Sequence, residues 1–458
     1  ISWAAAYYAN TLAAYIMNSQ PRIKAVFDSW KLQGGTKETF LSNLQKNQEV
    51  KNILLSESPW VMEARTEEEQ KKRIATLFDL NNIRNNNIAA LTRLKELQQS
   101  DGSWAWYKGM NGSRFITNFI VELNARLALL TGKPLEGDAL TMQRSAFSFL
   151  NKEALEEYKN IRKAEKNGEK VKGLSDEALK YLYLVAISGE KMPLADNQTA
   201  YNYFLSKVGE TLTSRSMTNK ALAAIVLDKA GRKQEALNFI ASLKEFLTKT
   251  DEQGMFFAFN ENPYTWGGLQ IPVMEALELV SGDSSTVEEM KLWLLKQKQT
   301  QAWDSPVTTV NAVFALLQRG VNLLDNQGDV RITVANEVLE TLAPAKTIVP
   351  GLGYIKKTFT DKKVVDARKI TVEKRDAGIA WGAVYAQYQE DIDQVKQQGN
   401  ELSVEKKLYV ERLVNNVRQL QPITAATELA VGDKVVSRLT VRLDRPMDFI
   451  QLKDQRAA

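Results

Sequence analysis

From about residue 7 to 320, apolar residues recur at i, i+3, i+4 and i+7, with almost no alternating run among them. Leu12, Tyr15 and Ile16 make one such stripe. Leu91, Leu94 and Leu97 make a second, and Phe119, Leu123, Leu127 and Leu130 a third. A chain patterned this way must bury one face of each of about a dozen helices. Helix ends are written into it. Thr131-Gly132-Lys133-Pro134 is a stop with proline beyond it, and Gly34-Gly35, Leu174-Ser175-Asp176-Glu177, Ala230-Gly231 and Ser281-Gly282-Asp283 punctuate further helices. The region is predicted to be all-α.

A weak repeat runs through it. Gln98-Gln99-Ser100-Asp101-Gly102-Ser103-Trp104 follows one helix, Gln253-Gly254-Met255-Phe256 follows another, and Gln297 precedes Trp303 by six residues. A two-helix unit repeated about six times predicts a solenoid or a closed α/α toroid. In such a unit the glycine permits a tight turn and the aromatic closes the end of a helix pair, so Trp104, Phe256 and Trp303 should share one rim.

Near residue 325 the period changes to two. Asp329–Val334, Lys369–Glu373 and Ile379–Tyr385 alternate, and Gly351, Gly353 and Gly378 mark bends. Glu390 to Glu401 reads as a polar linker. Leu408-Tyr409-Val410 and Val435–Val441 follow, with Gly432-Asp433 as the turn before the second. The fold class expected is therefore multidomain α and β: an α/α toroid followed by β-sandwich domains.

Composition narrows the chemistry. The 458 residues include no His and no Cys. Ser-His-Asp and Cys-His nucleophile systems, Cys/His zinc sites and disulfides are thereby removed from this chain. Carboxylate chemistry, carboxylate-held metals and lysine nucleophiles remain. A net charge of +5 is the remainder of 60 basic and 55 acidic residues, which does not predict a nucleic-acid surface. No stretch approaches the 18 or more apolar residues of a membrane-spanning helix. Both termini read as cuts in a longer polypeptide.

The order of helical toroid, β domain and beginning of another β domain resembles the C-terminal half of the alpha-2-macroglobulin and complement superfamily. Tyr7-Tyr8-Ala9-Asn10-Thr11-Leu12-Ala13 is similar to the helix after that family's thioester motif. Ser58-Pro59-Trp60, Leu77-Phe78-Asp79-Leu80, Asp101-Gly102-Ser103-Trp104, Trp293-Leu294-Leu295 and Ala312–Leu317 resemble bacterial thioester-domain sequences. Ile379–Tyr385 with Tyr388 resembles a CUB-like domain, and Val431-Gly432-Asp433 the start of a macroglobulin-like domain. The resemblance implies a thioester-domain-like toroid over 1–322, a CUB-like β domain over 323–400 whose first strands are missing, and a truncated macroglobulin-like domain over 401–458.

It also implies a function: a bacterial protease trap at the periplasm or cell envelope, lipid-anchored through the missing N-terminus, that works by conformational change when proteases cut it. Its partners would be proteases, with no nucleic acid and no integral membrane segment in this chain. The open β region would be able to self-associate through a strand edge. The family's Cys-x-Glu-Gln motif is not matched here. Its Glu and Gln would align with Ile1 and Ser2, so this chain carries no thioester and has no catalytic, cofactor or metal residues to carry over.

Two other readings compete. Gln98 to Trp104 also resembles the repeats of squalene–hopene cyclases, which would make the toroid an enzyme. The acidic run Glu390-Asp391-Ile392-Asp393 falls outside the helical region, but a two-carboxylate glycosidase stays open. Alternatively, Trp104, Trp106, Tyr107 and Arg114 on one loop, and Trp266 near Asn262-Pro263-Tyr264-Thr265, would form a protein- or glycan-binding scaffold. Exposure of Trp106 and Trp266 separates binding from core packing.

Overall fold

The structure is a computed structural model. It describes residues 1–19, 80–169, 173–188, 197–212, 215–251, 253–258, 266–300, 305–318, 329–335, 337–340, 348–349, 354–355, 357–359, 369–375 and 402–444, with a few single residues besides. The chain is α and β in sequence: helices first, small sheets after. It divides into two compact units, Ile1–Gln299 with Trp303–Trp381, and Thr300–Ala302 with Gly382–Ala458.

The first unit contains the helices α1 (Ser2–Ser19), α2 (Leu80–Leu97), α3 (Arg114–Thr131), α4 (Gly137–Lys166), α5 (Asp176–Ile187), α6 (Gln198–Lys207), α7 (Met217–Lys229), α8 (Lys233–Lys244), α9 (Trp266–Ala276), α10 (Ser284–Thr300) and α11 (Pro306–Gln318). The odd-numbered helices touch one another in the order α1, α3, α5, α7, α9, α11 and back to α1. The even-numbered helices lie against them: α2 on α1, α4 on α3, α6 on α5 and α8 on α7.

Burial follows the same alternation. On α3 every residue from Ile116 to Leu127 is buried, and on α7 every residue from Lys220 to Leu227. A helix covered on all sides sits inside other helices. On α8 only Ala236, Phe239, Ile240 and Leu243 are buried, the single stripe of an outer helix. One core runs from Ala4 to Ala315.

Turns differ by direction. From inner to outer helix, Gly132, Gly231 and Gly282 stand in left-handed conformation with open space around them. Two of the turns from outer to inner helix are braced by the next outer helix, whereas Gly168 of the α4–α5 turn stands in open space. Gly102 (φ +93°) lies where a Cβ would overlap the Ser145 carbonyl of α4, and Gly254 (φ +73°) where one would overlap the Glu289 carbonyl of α10. The two turns hold the same place in helix pairs three units apart, each pressed on the outer helix that follows.

Part of the helical region is not helical. β1 (Leu247–Thr250) and β2 (Gly254–Phe257) pair antiparallel as a hairpin around the second of these turns, a correction to the all-α expectation. Serine caps are as expected at Ser175, whose Oγ accepts from the Ala178 N–H at 3.0 Å. Gly34-Gly35, the Ser58 stretch, Leu77-Phe78-Asp79, Asn262-Pro263-Tyr264-Thr265, Trp303, the Gly351, Gly353 and Gly378 bends, most of the Ile379–Tyr385 run, Tyr388 and the Glu390 linker lie outside the described residues.

In the same unit β3 (Val330–Val334) is flanked by β4 (Glu337–Glu340) and β7 (Ile370–Lys374), both antiparallel, while β5 (Ile348–Val349) pairs with β6 (Tyr354–Ile355). In the second unit β8 (Leu402–Val414) runs between β9 (Val417–Pro422) and β10 (Lys434–Leu443), again antiparallel.

Replacing Gly102 by Ala is expected to cost more than about 2 kcal/mol, because both the backbone angle and the space are wrong for a side chain. Gly132→Ala, strained in angle alone, is expected to cost about 1 kcal/mol. Urea unfolding of the two variants measures the difference; equal losses would contradict the bracing of the Gly102 turn.

Candidate functional site

Two places concentrate functional side chains. The first is the middle of the helix cycle. Arg126 on α3 is almost wholly buried, and its guanidinium gathers partners from four helices. Its Nη2 lies 2.9 Å from Glu122 Oε1 and 3.0 Å from Glu275 Oε2, and donates to the Tyr183 hydroxyl at 3.1 Å. Its Nη1 donates to Asn311 Oδ1. Tyr183 in turn donates to Glu275 Oε2 at 2.8 Å, and Lys180 Nζ sits 2.5 Å from Glu122 Oε2. The Arg126 guanidinium also lies 4.9 Å from the centre of the Phe314 ring.

Two cations face two carboxylates, so the cluster is formally neutral. Desolvation would raise Glu122, but the neighbouring Arg126 and Lys180 charges outweigh it and hold the carboxyl below its ordinary value. Desolvation pushes the Tyr183 hydroxyl well up, with Arg126 opposing. Tyr8 of α1 is also raised by burial, and its hydroxyl has no hydrogen-bond partner among the described residues. No group of three His, Cys, Asp or Glu suited to a metal occurs among the described residues.

The second place is the turn between α2 and α3. Gln98 Nε2 donates to the Gly102 carbonyl and to the Met142 carbonyl of α4, each at 2.9 Å. Asp101 accepts from the Ser103 N–H at 2.9 Å and the Ser103 hydroxyl at 2.6 Å, and these bonds lower its carboxyl despite some desolvation. The Trp104 Nε1–H donates to the Leu94 carbonyl at 2.9 Å. Each residue type of the motif thus has a structural use.

The five candidates from this sequence reasoning separate here. Trp104 is not on an open surface: it is only 2% exposed, with its one donor satisfied inside. Arg114 is no free cation either, since its Nη1 meets Glu157 Oε2 at 2.7 Å and its Nε lies 3.5 Å from Glu177 Oε2. Trp106 and Tyr107 are open, 53% and 74% exposed. Trp106 stacks on Phe115, itself exposed, with ring centres 5.6 Å apart and planes 7° off parallel. Trp266 begins α9, and its side chain lies outside the described residues. Ile1 precedes α1 and its carbonyl accepts from the Ala5 N–H at 3.0 Å, so Ile1 and Ser2 stand at the N-terminal end of an inner helix.

Sequence reasoning missed the Arg126 cluster and Phe115. One signal was present: Glu122 and Arg126 stand four residues apart, an opposite-charge pair inside the largely apolar run from Phe119 to Leu130. Compared with known proteins, the chain matches no family model and no curated protein.

Replacing Arg126 with Leu should cost about 3–5 kcal/mol, since two carboxylates would stay buried with one cation between them. Its urea midpoint measures this, and a loss below about 1 kcal/mol would show that the cluster does not tie the helices. Because Glu122 is depressed in the folded state, its contribution is complete above the ordinary glutamate value of 4.5 and drains away as pH falls below it. The acid limb of stability should therefore flatten in Glu122→Gln. On the turn, Trp104→Ala should cost about 3–5 kcal/mol, and Trp106→Ala less than about 1 kcal/mol. Thermal melts of the pair separate the packed tryptophan from the open one.

Proposed function

We propose that residues 1–322 form an α/α toroid of the thioester-domain type, and that the chain is part of a bacterial alpha-2-macroglobulin-like protease trap at the cell envelope. The observation that carries this reading is the cyclic order of the odd-numbered helices, with α1 as one of its members. The helix that resembles the one after the family's thioester motif is then an inner helix, and Ile1 and Ser2 stand at its N-terminal end. The matching placement of the Gly102 and Gly254 turns supports a repeated two-helix unit. The change from helices to antiparallel sheets after α11 supports a CUB-like domain over 323–400 and the beginning of a macroglobulin-like domain over 401–458.

Without cysteine the chain has no thioester of its own, so its part in trapping would be mechanical. A ring tied through one buried cluster moves as a unit when neighbouring domains are released. The glycosidase reading has less support. Of the buried carboxylates, Glu122 is held ionised by Arg126 and Lys180, which is the reverse of what a general acid needs.

A binding-scaffold reading is favoured by one observation, the exposed Trp106–Phe115 stack beside Tyr107. It is compatible with the first reading, since a trap also needs surfaces for its domains or its prey.

The test is on the natural polypeptide that carries this chain. Cutting it with a protease should shrink its radius of gyration in X-ray scattering and speed its migration on native gels. The protease should then lose activity on protein substrates while keeping it on small peptides. Unchanged shape together with full activity on proteins would sink the reading.

A further inference from the structure

Asparagine is followed by glycine at two places in the chain, Asn111-Gly112 and Asn167-Gly168. Without a Cβ, glycine puts the least obstruction between its own nitrogen and the side-chain amide of the residue before it. Both asparagines are exposed, but their glycine nitrogens are held differently. Asn167 caps the C-terminal end of α4. There the Gly168 N–H donates to the Glu165 carbonyl at 3.0 Å, and the Glu169 N–H to the Ala164 carbonyl at 3.1 Å. At the other pair, in the turn between α2 and α3, the Gly112 N–H has no hydrogen-bond partner among the described residues.

The residues around Asn111 and Gly112 are fastened. On one side Gln99 Nε2 donates to the Met110 carbonyl at 2.6 Å. On the other the Ser113 N–H donates to the Trp104 carbonyl at 2.8 Å. Between them Gly112 has no slack, since a Cβ there would overlap the Ser103 side chain.

We propose that Asn111-Gly112 is a self-modification site, at which the Gly112 nitrogen attacks the Asn111 side-chain amide and the rearranged product unfastens the aromatic turn. The Gly112 nitrogen gives its proton to solvent and bonds to Asn111 Cγ. The Cγ–Nδ2 bond breaks, and the nitrogen takes a proton from water and leaves as ammonia. Water then opens the cyclic imide at either carbonyl. Opening on the side-chain side gives aspartate. Opening on the main-chain side gives isoaspartate, whose backbone runs through Cβ and Cγ. Water is the only co-reactant.

Isoaspartate carries the consequence. It lengthens the main chain by one methylene, about 1.5 Å, inside a span fixed at both ends, so the Gln99 and Trp104 bonds cannot both be kept. Trp106 lies within the loop that the Ser113–Trp104 bond closes and Phe115 lies just beyond it, so their stack depends on the same fastening. Aspartate keeps the backbone length, and its charge stands just ahead of the Ser113 cap, where a helix N-terminus favours an anion. The inference rests on this turn alone and holds whether or not the chain belongs to a protease trap.

Ageing the full chain at about pH 8 and about 37 °C, followed by peptide mapping in a mass spectrometer, tests it. The peptide with Asn111 should gain about 1 Da as amide becomes acid. It should do so roughly fivefold faster than the peptide with Asn167, the difference made by one backbone hydrogen bond. Enzymatic methylation specific for isoaspartate should label position 111, and Asn111→Gln should remove that label. The isoaspartyl form, separated by ion exchange, should melt below Asn111→Asp, which has the charge without the longer backbone. An Asn111 that keeps its amide, or converts no faster than Asn167, overturns the proposal. So does an isoaspartyl form that melts together with Asn111→Asp.

Discussion

A guanidinium cannot be left unpaired among aliphatic side chains. Removing such a charge from water costs several kcal/mol, recovered only where acceptors stand at the right places. Arg126 sets that demand in the middle of the helix cycle. Its acceptors come from its own helix, from Tyr183 of α5, from Glu275 of α9 and from Asn311 of α11. Sliding any one of these helices by a turn, about 5.4 Å, would strip the cluster of a partner. Aliphatic contacts tolerate small slippage, but a buried ion network does not. The cluster therefore fixes the relative heights of helices that are far apart in the chain, whatever its net worth in stability.

The alternation of inner and outer helices follows from the same packing. An inner helix has neighbours on every side, so its sequence can be apolar all round, as in Ala221–Leu227 of α7. An outer helix needs one stripe. Turns then inherit different requirements at the two ends. Inner-to-outer turns need only a left-handed residue in open space. The outer-to-inner turns at Gly102 and Gly254 also pass close under the next outer helix, which leaves no room for a Cβ. This is why the repeat shows in the sequence as a glycine followed by an aromatic, and not as a longer conserved-looking block.

That also explains what could be read in advance. Periodicity and local signals are short-range, so the helices, the Gly132 stop and the Ser175 cap were legible, as were β3, β7, β8 and β10. The Arg126–Glu275 pair joins residues 149 positions apart, and nothing local announces it. Trp104 and Trp106 are two residues apart with the same chemistry. Their opposite fates depend on whether Leu94 and Thr117 or solvent lie beside them, which only the assembled turn decides. The β1 strand escaped notice because Leu247-Thr248-Lys249-Thr250 has one apolar residue and no alternation to read.

The charged groups at the centre of the helical unit answer one another, cation against carboxylate, and Tyr183 bridges between them. A site that engages a substrate needs groups whose hydrogen bonds are still to be made. Among the described residues, the Tyr8 hydroxyl, the Arg126 Nε, the Asn118 Oδ1 and the Gln270 Oε1 on the inner helices are in that condition. At the periphery the balance is reversed. The Trp106–Phe115 stack is an ordered surface with the hydrophobic free energy of a further contact still unspent. The molecule holds its polar chemistry inside, where it fixes helix positions, and its apolar surface outside, where other layers can be added. That distribution suits a component that transmits or receives contacts, and it places the informative substitutions at the turn that carries Trp106.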